Sequence, residues 1–275
     1  MLRLVENYPA AVLRKRGIGW DGLSAINPRL VMLSVSCFGA TGPYRDRPGS
    51  GTIGEGFGGL TWLTGEADGP PMLPSVALGD AVGAMSAVIG TLTALYWRDR
   101  NGRGQQVDAS LFEPVLQIVA HAAQRWAPGH APERCGSDLP GVLRNVYTTA
   151  DGRHVAISAS TPRHQRDLVE LAGGNEGSDD ARVAAWIAIR SQAEVVATLV
   201  ERRIPVAPVN SIEHLLADPH VRDRASLAHV VDAALGDLAI AAPAPRLSET
   251  PGRLGDLNPA LGRDVEEALA RWTAR

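Results

Sequence analysis

The chain has 275 residues, 45% hydrophobic and 21% charged, with a formal net charge of −3 and a pI near 6.2. That length holds one large or two ordinary domains and can bury a substantial core. The charge balance is that expected of a soluble globular protein, and it offers no basic surface for nucleic acid or for a membrane.

The two cysteines, Cys37 and Cys135, lie far apart without a paired motif. Neither a disulfide framework nor a structural zinc site is expected, and a reducing cytoplasm is the default compartment. No apolar run approaches the roughly 18–20 residues needed to span a bilayer, and residues 1–7 carry no signal-peptide apolar core. None of the seven histidines has metal-ligand spacing, so no metal is expected. Cys37 has no neighbouring base and is not read as a reactive thiol.

Residues 2–8 read as a strand running straight into a loop, as though the chain enters a sheet in mid-course. Residues 9–16 predict a short helix closed by Gly17, and residues 20–26 a second one stopped by Asn27-Pro28. Residues 30–36 (LVMLSVS) are almost all apolar and predict a strand covered on both faces. Strand, helix, strand is the α/β signature.

A Gly- and Pro-rich passage follows over residues 37–74. Its Gly54-Glu55-Gly56-Phe57-Gly58-Gly59 looks like a dinucleotide fingerprint, but it does not open from a predicted strand and its spacing is wrong. Loops after the carboxyl ends of parallel strands are where open α/β sheets bind ligands, so residues 36–39 are a candidate pocket wall.

The next helix is predicted from Ala81 to about Arg98. Val82, Met85, Ile89, Leu92 and Tyr96 share one face, and Gly83, Ala87, Gly90 and Ala94 form a stripe of small residues that admits a close neighbour. Asp80 stands at the mouth of this helix. There it is either an N-cap or a carboxylate nucleophile at the floor of a pocket, and in both cases the positive end of the helix dipole keeps it ionised.

Residues 107–111 alternate like a strand and 112–126 read as one helix. A linker is expected at 127–132. A hairpin with Asp151-Gly152 in its turn joins strands near 146–149 and 154–158, followed by helices at 162–172 and 180–203. Residues 205–210 are extended, 212–217 a short helix, and 263–273 a final helix. The division is therefore 1–126, a large α/β domain; 127–204, a linker and small α+β domain; and 205–275, a C-terminal segment.

The motifs Val5-Glu6-Asn7-Tyr8, Ile26-Asn27-Pro28-Arg29-Leu30, Phe38-Gly39-Ala40-Thr41-Gly42-Pro43-Tyr44, Thr64-Gly65-Glu66, Leu78-Gly79-Asp80 and Gly102-Arg103-Gly104-Gln105 occur in order along the chain. Thr149-Ala150-Asp151-Gly152, Ile204-Pro205-Val206-Ala207-Pro208-Val209 and Asp218-Pro219-His220-Val221 continue the series. In identity and spacing they resemble class III CoA-transferases, a family that includes formyl-CoA transferase, carnitine CoA-transferase and α-methylacyl-CoA racemase. The resemblance covers nearly the whole chain.

It implies a Rossmann-like large domain, a small domain, a C-terminal segment returning to the large one, and an interlinked homodimer. It aligns Asp80 with the family's nucleophilic aspartate. It carries CoA contacts over to Asn7, Tyr8 and Pro9, to Lys15 where many relatives have Arg, and to Ser36, Cys37, Phe38 and Gly39. CoA and acyl-CoA then enter as substrates rather than as a permanently bound cofactor.

The chemistry suits a carboxylate. It attacks an acyl-CoA thioester to give a mixed anhydride, and the freed thiolate converts this to an aspartyl thioester open to exchange with a second acid.

The sequence departs from the family at three places. A segment that family members carry ahead of the residue 4–7 strand has no counterpart, so the large domain is expected to be incomplete. The chain would then be a fragment, a subunit completed by a partner chain, or an inactive CoA-binding subunit. The family's Gly-rich small-domain loop matches Leu139-Pro140-Gly141-Val142-Leu143, which is poorer in glycine. Racemases carry a His-Asp pair after the Pro-Gly turn, and Pro48-Gly49 is followed here by Ser50-Gly51, which disfavours racemase activity; an acyl-CoA racemase or isomerase of the same family is the alternative enzymatic reading.

Overall fold

The computed structural model describes residues 3–127, 132–139, 141–232, 234–257 and 259–273. The chain divides into two compact units, Met1–Leu139 and Pro140–Arg275.

The first unit runs β1 (Arg3–Glu6), α1 (Ala10–Lys15), α2 (Trp20–Ile26), β2 (Val31–Ser36), α3 (Gly51–Phe57), α4 (Leu60–Leu63), α5 (Leu78–Asn101), β3 (Gln106–Ser110), α6 (Phe112–Ile118) and α7 (Ala120–Arg125). Its sheet is parallel in the order β1-β2-β3, with Arg3 opposite Val31 and Met32 opposite Gln106. The central strand β2 is the apolar run of the sequence, and its side chains alternate between two faces. Met32 packs with Leu13, Leu30, Trp20 and Leu23 below α1 and α2. Leu33 packs with Ala87 and Ala109 below α5.

Helix α5 turns its stripe of small residues inward: Gly79, Gly83, Ala87 and Ala94 are buried. A methyl group on Gly83 would meet Leu111 Cδ2 at 2.6 Å, and one on Gly90 would meet Val107 Cγ1 at 3.0 Å. The larger apolar face points away, with Met85, Ile89, Leu92 and Tyr96 all exposed. The periodicity was right, but in this chain the small face rather than the large one makes the packing. By length and composition α5 is also apolar enough to cross a membrane, contrary to the sequence reading. It packs against β2, β3, α3 and α6.

Two further corrections concern breaks and turns. The helix expected over 112–126 divides at Val119, where φ −95° and ψ 7° leave the helical region. The Gly- and Pro-rich passage, for which the sequence predicts no element, contains α3 and α4. Within α3, Gly54 permits close approach rather than a turn, since a methyl group there would lie 3.2 Å from the Leu111 carbonyl carbon.

The second unit contains β4 (Leu143–Thr148), β5 (His154–Ala159), α8 (Pro162–Ala172), α9 (Asp179–Ala188), α10 (Gln192–Glu201), β6 (Val206–Pro208), α11 (Ile212–Ala217), α12 (Pro219–Asp223), β7 (Leu227–Asp232), β8 (Gly236–Ala241) and α13 (Val265–Thr273). Strands β4, β5 and β6 form an antiparallel sheet, and its core gathers Tyr147, Val155, Ile157, Leu168, Val183, Ile187, Val195 and Leu199. Strand β6 lies beyond residue 204, so the sheet takes a strand from the segment that the sequence reading set apart.

The helix expected over 180–203 is two helices. Ser191 caps α10 in a reciprocal box with Glu194, a signal present in the sequence as Ser-x-x-Glu. The β7–β8 hairpin was not anticipated. Linker residues 128–131 and Pro140 lie outside the described residues.

Candidate functional site

Strands β1 and β2 end side by side, and the loops that leave them enclose a cavity of about 550 Å³. Asn7, Tyr8 and Pro9 line it from the β1 exit, and Ser36, Cys37 and Gly39 from the β2 exit. Six of the eight residues expected to contact CoA therefore share one cavity.

The other two do not line it. Phe38 joins a cluster with Tyr44, Phe57 and Phe112, at ring-centroid distances of 5.7, 5.3 and 6.4 Å. Lys15 lies off the lining face of α1, which presents Ala10, Leu13 and Arg14 to the cavity. That spacing of three and four residues defines one side of a helix and leaves position 15 on another.

The turn after β2 is held by its own polar groups. Ser36 Oγ accepts the Gly39 N–H at 3.0 Å, and the Asp108 carboxylate on β3 accepts the Ala40 N–H at 2.9 Å. Gly39 has φ +85°, which a side chain rarely tolerates. Sequence reasoning missed Arg14, Trp20, Arg45, Arg47 and Asp108 as lining residues. Arg47 lies 3.6 Å from the centroid of the Tyr44 ring, and Arg45 pairs with Asp46 at 3.3 Å.

Asp80 sits beyond this wall. It is the third residue of α5 rather than its N-cap; the cap is Ala77, whose side chain offers no acceptor. Asp80 is exposed and lies in the first turn, where the helix dipole favours an anion.

The segment 49–51 connects Asp80 to the cavity. A methyl group on Gly51 would overlap the Asp80 carboxylate, and one on Gly49 would meet Cys37 Sγ at 2.5 Å. Burial pushes the Cys37 thiol above its ordinary value; its bond to the Ser50 backbone opposes this less strongly, and the Asp80 charge adds the smallest, upward contribution. Cys37 is thus a protonated wall residue at neutral pH. Among the described residues no group of three or more His, Cys, Asp or Glu side chains could hold a metal ion.

A ligand cavity outside the carboxyl ends of parallel strands, with a carboxylate at a neighbouring helix start, defines an open-sheet α/β protein that binds and acts on a small molecule. The chain belongs to CoA-transferase family III, whose model matches residues 4–265, and it is a CoA-transferase.

It is 35% identical to the succinyl-CoA–D-citramalate CoA-transferase of Chloroflexus aurantiacus, over 96% of this chain and 70% of that protein. It is 36% identical to the beta subunit of the succinyl-CoA–L-malate CoA-transferase of the same organism, over 97% and 71%. The succinate–glutarate CoA-transferase of Agrobacterium fabrum is 30% identical, over 97% and 71%. Among solved structures, a CaiB/BaiF family protein from Brucella suis superposes with a TM-score of 0.79 at 27% identity, covering 98% of this chain and 75% of the other.

Proposed function

We propose that this enzyme moves CoA between short dicarboxylic acids through a covalent intermediate on Asp80. The observation that carries this reading is an exposed carboxylate in the first turn of α5, packed close to Gly51, two residues from the Gly49 that lines the β1–β2 cavity against Cys37. Asn7, Tyr8, Pro9, Ser36, Cys37 and Gly39 bind the CoA, and Arg14, Arg45 and Arg47 supply the positive charge that its phosphates require. The relatives named above act on succinate, citramalate, malate and glutarate, each with two carboxylates, and these acids define the class to test first.

In this reading Asp80 attacks the thioester carbonyl of the donor, expels CoA thiolate and becomes a mixed anhydride. The thiolate then attacks the Asp80 carbonyl, releasing the donor acid and leaving an aspartyl-CoA thioester. The acceptor carboxylate attacks that thioester, frees the thiolate again and forms a second anhydride. Thiolate attack on the acceptor's acyl carbon completes the product and restores Asp80. The positive end of the α5 dipole stabilises the charge that develops at each step.

The assembly in this reading is a cytoplasmic homodimer, and the exposed apolar face of α5 (Met85, Ile89, Leu92, Tyr96) supports burial against a second copy.

Label exchange between succinyl-CoA and ¹⁴C-labelled dicarboxylic acids tests the proposal. Exchange in the parent and a loss of at least about 10³-fold in Asp80→Ala is the expected result. Hydroxylamine treatment under turnover should mark the peptide holding Asp80. Exchange that survives Asp80→Ala overturns the covalent mechanism.

A further inference from the structure

We propose that Glu55 is a positioning residue for Asp80. This rests on Asp80 being the nucleophile.

Glu55 lies in the middle of α3 and is 2% exposed. Its Oε1 accepts the backbone N–H of Gly79, the residue before Asp80, at 2.7 Å. Gly79 is the second residue of α5, and its N–H is one of the donors that a helix start leaves without a partner. Ala77 at the N-cap cannot supply an acceptor. The cap comes instead from a side chain 24 residues upstream.

The backbones reinforce this bond. A methyl group on Gly79 would lie 2.5 Å from the Gly51 carbonyl oxygen and 3.1 Å from Glu55 Cγ, and one on Gly51 would overlap the Asp80 carboxylate. α3 therefore grips α5 at residue 79 through Glu55 and at residue 80 through Gly51. Glu55 touches no reacting atom. Its effect is to hold the first turn of α5 so that the Asp80 carboxylate meets the thioester at one angle and distance, where displacement of about 1 Å can cost on the order of 10²-fold in rate.

A mere stabilising cap would lower the melting temperature and leave the folded enzyme's kinetics alone. The test therefore reads kcat and KM separately, at a temperature where circular dichroism shows each variant folded. Glu55→Ala should lower kcat for succinyl-CoA-dependent exchange about 10–100-fold with KM and the CoA Kd within twofold of the parent. Glu55→Gln keeps an acceptor oxygen at the same reach and should restore kcat to within about threefold.

If Glu55→Ala does not fold, Glu55→Asp carries the test. It retains the charge but draws the acceptor back by one methylene, and kcat should fall at least threefold at constant KM. An unchanged kcat in the folded Ala or Asp variant overturns the positioning role, as does an equal loss in Glu55→Gln. Asp80→Ala measured in parallel separates the two ideas. Activity surviving there overturns the nucleophile and this inference with it, whereas a dead Asp80→Ala beside a fully active Glu55→Ala overturns the positioning role alone.

Discussion

Gly51→Ala and Gly56→Ala place the same methyl group in the same helix, and the structure predicts opposite results. Gly56 is exposed, and no atom lies within 4 Å of where its Cβ would stand. Alanine there gains the helix preference over glycine, about 0.5–1 kcal/mol. At Gly51 the methyl group would overlap the Asp80 carboxylate and come 2.7 Å from the Asp80 backbone nitrogen. The carboxylate can rotate aside, but the backbone nitrogen cannot. Overpacking of this kind costs about 1–3 kcal/mol and outweighs a propensity gain that is smaller at the first position of a helix.

The expected net effect at Gly51 is a loss of about 1–2 kcal/mol. At about 2–4 °C per kcal/mol, calorimetric melting should show Gly56→Ala raised by about 1–4 °C and Gly51→Ala lowered by about 2–8 °C. Exchange activity should persist in Gly56→Ala and fall in Gly51→Ala even well below its melting point. A Gly51→Ala protein that melts at or above the parent temperature would refute the claim that α3 and Asp80 are in contact.

Two further predictions address the CoA cavity and the second unit. Arg14→Ala should weaken CoA about 10-fold by calorimetry, with the difference shrinking as salt is raised, whereas Lys15→Ala should leave the Kd within about twofold; equal effects would place α1 wrongly. In the second unit the Thr149 hydroxyl bond holds the Asp151 carboxyl below its ordinary range, and Ser191 does the same for Glu194. As pH falls, the unfolded chain takes up these protons first. The stabilisation is thus complete above the ordinary carboxylate range of about 4 and is lost below it. Urea midpoints at pH 7 and 3.5 should differ less in Asp151→Asn than in the parent, and an identical difference would contradict the assignment.

Much of both units was legible because the signals are local. The apolar run at 31–36, the Asp-Gly turn of the β4–β5 hairpin, the Pro-started helix α8 and the three-residue spacing in α5 each depend on neighbours within a turn or a pleat. The same rules predicted no element at α3, whose glycines at 51, 54 and 56 carry no helix signal. Two of them exist because α5, Leu111 and the chain at 112 pass within contact distance. Nor could spacing separate α9 from α10 without weighing the Ser191–Glu194 box against an unbroken apolar period.

The candidate site divides along the same line. The family resemblance is what names Asp80 as nucleophile and Asn7, Tyr8, Pro9 and Ser36–Gly39 as CoA contacts; local pattern alone places only Asp80 at a helix start and residues 36–39 at a strand exit. Tertiary structure alone decided that Phe38 leaves the cavity for Tyr44, Phe57 and Phe112, that Arg45 and Arg47 reach its lining, and that the small face of α5 turns inward. It also decided that Glu55 reaches Gly79 across 24 residues. Periodicity states what a residue's own helix or strand will do, whereas which of two usable faces is covered, and by whom, depends on the path the chain takes between them.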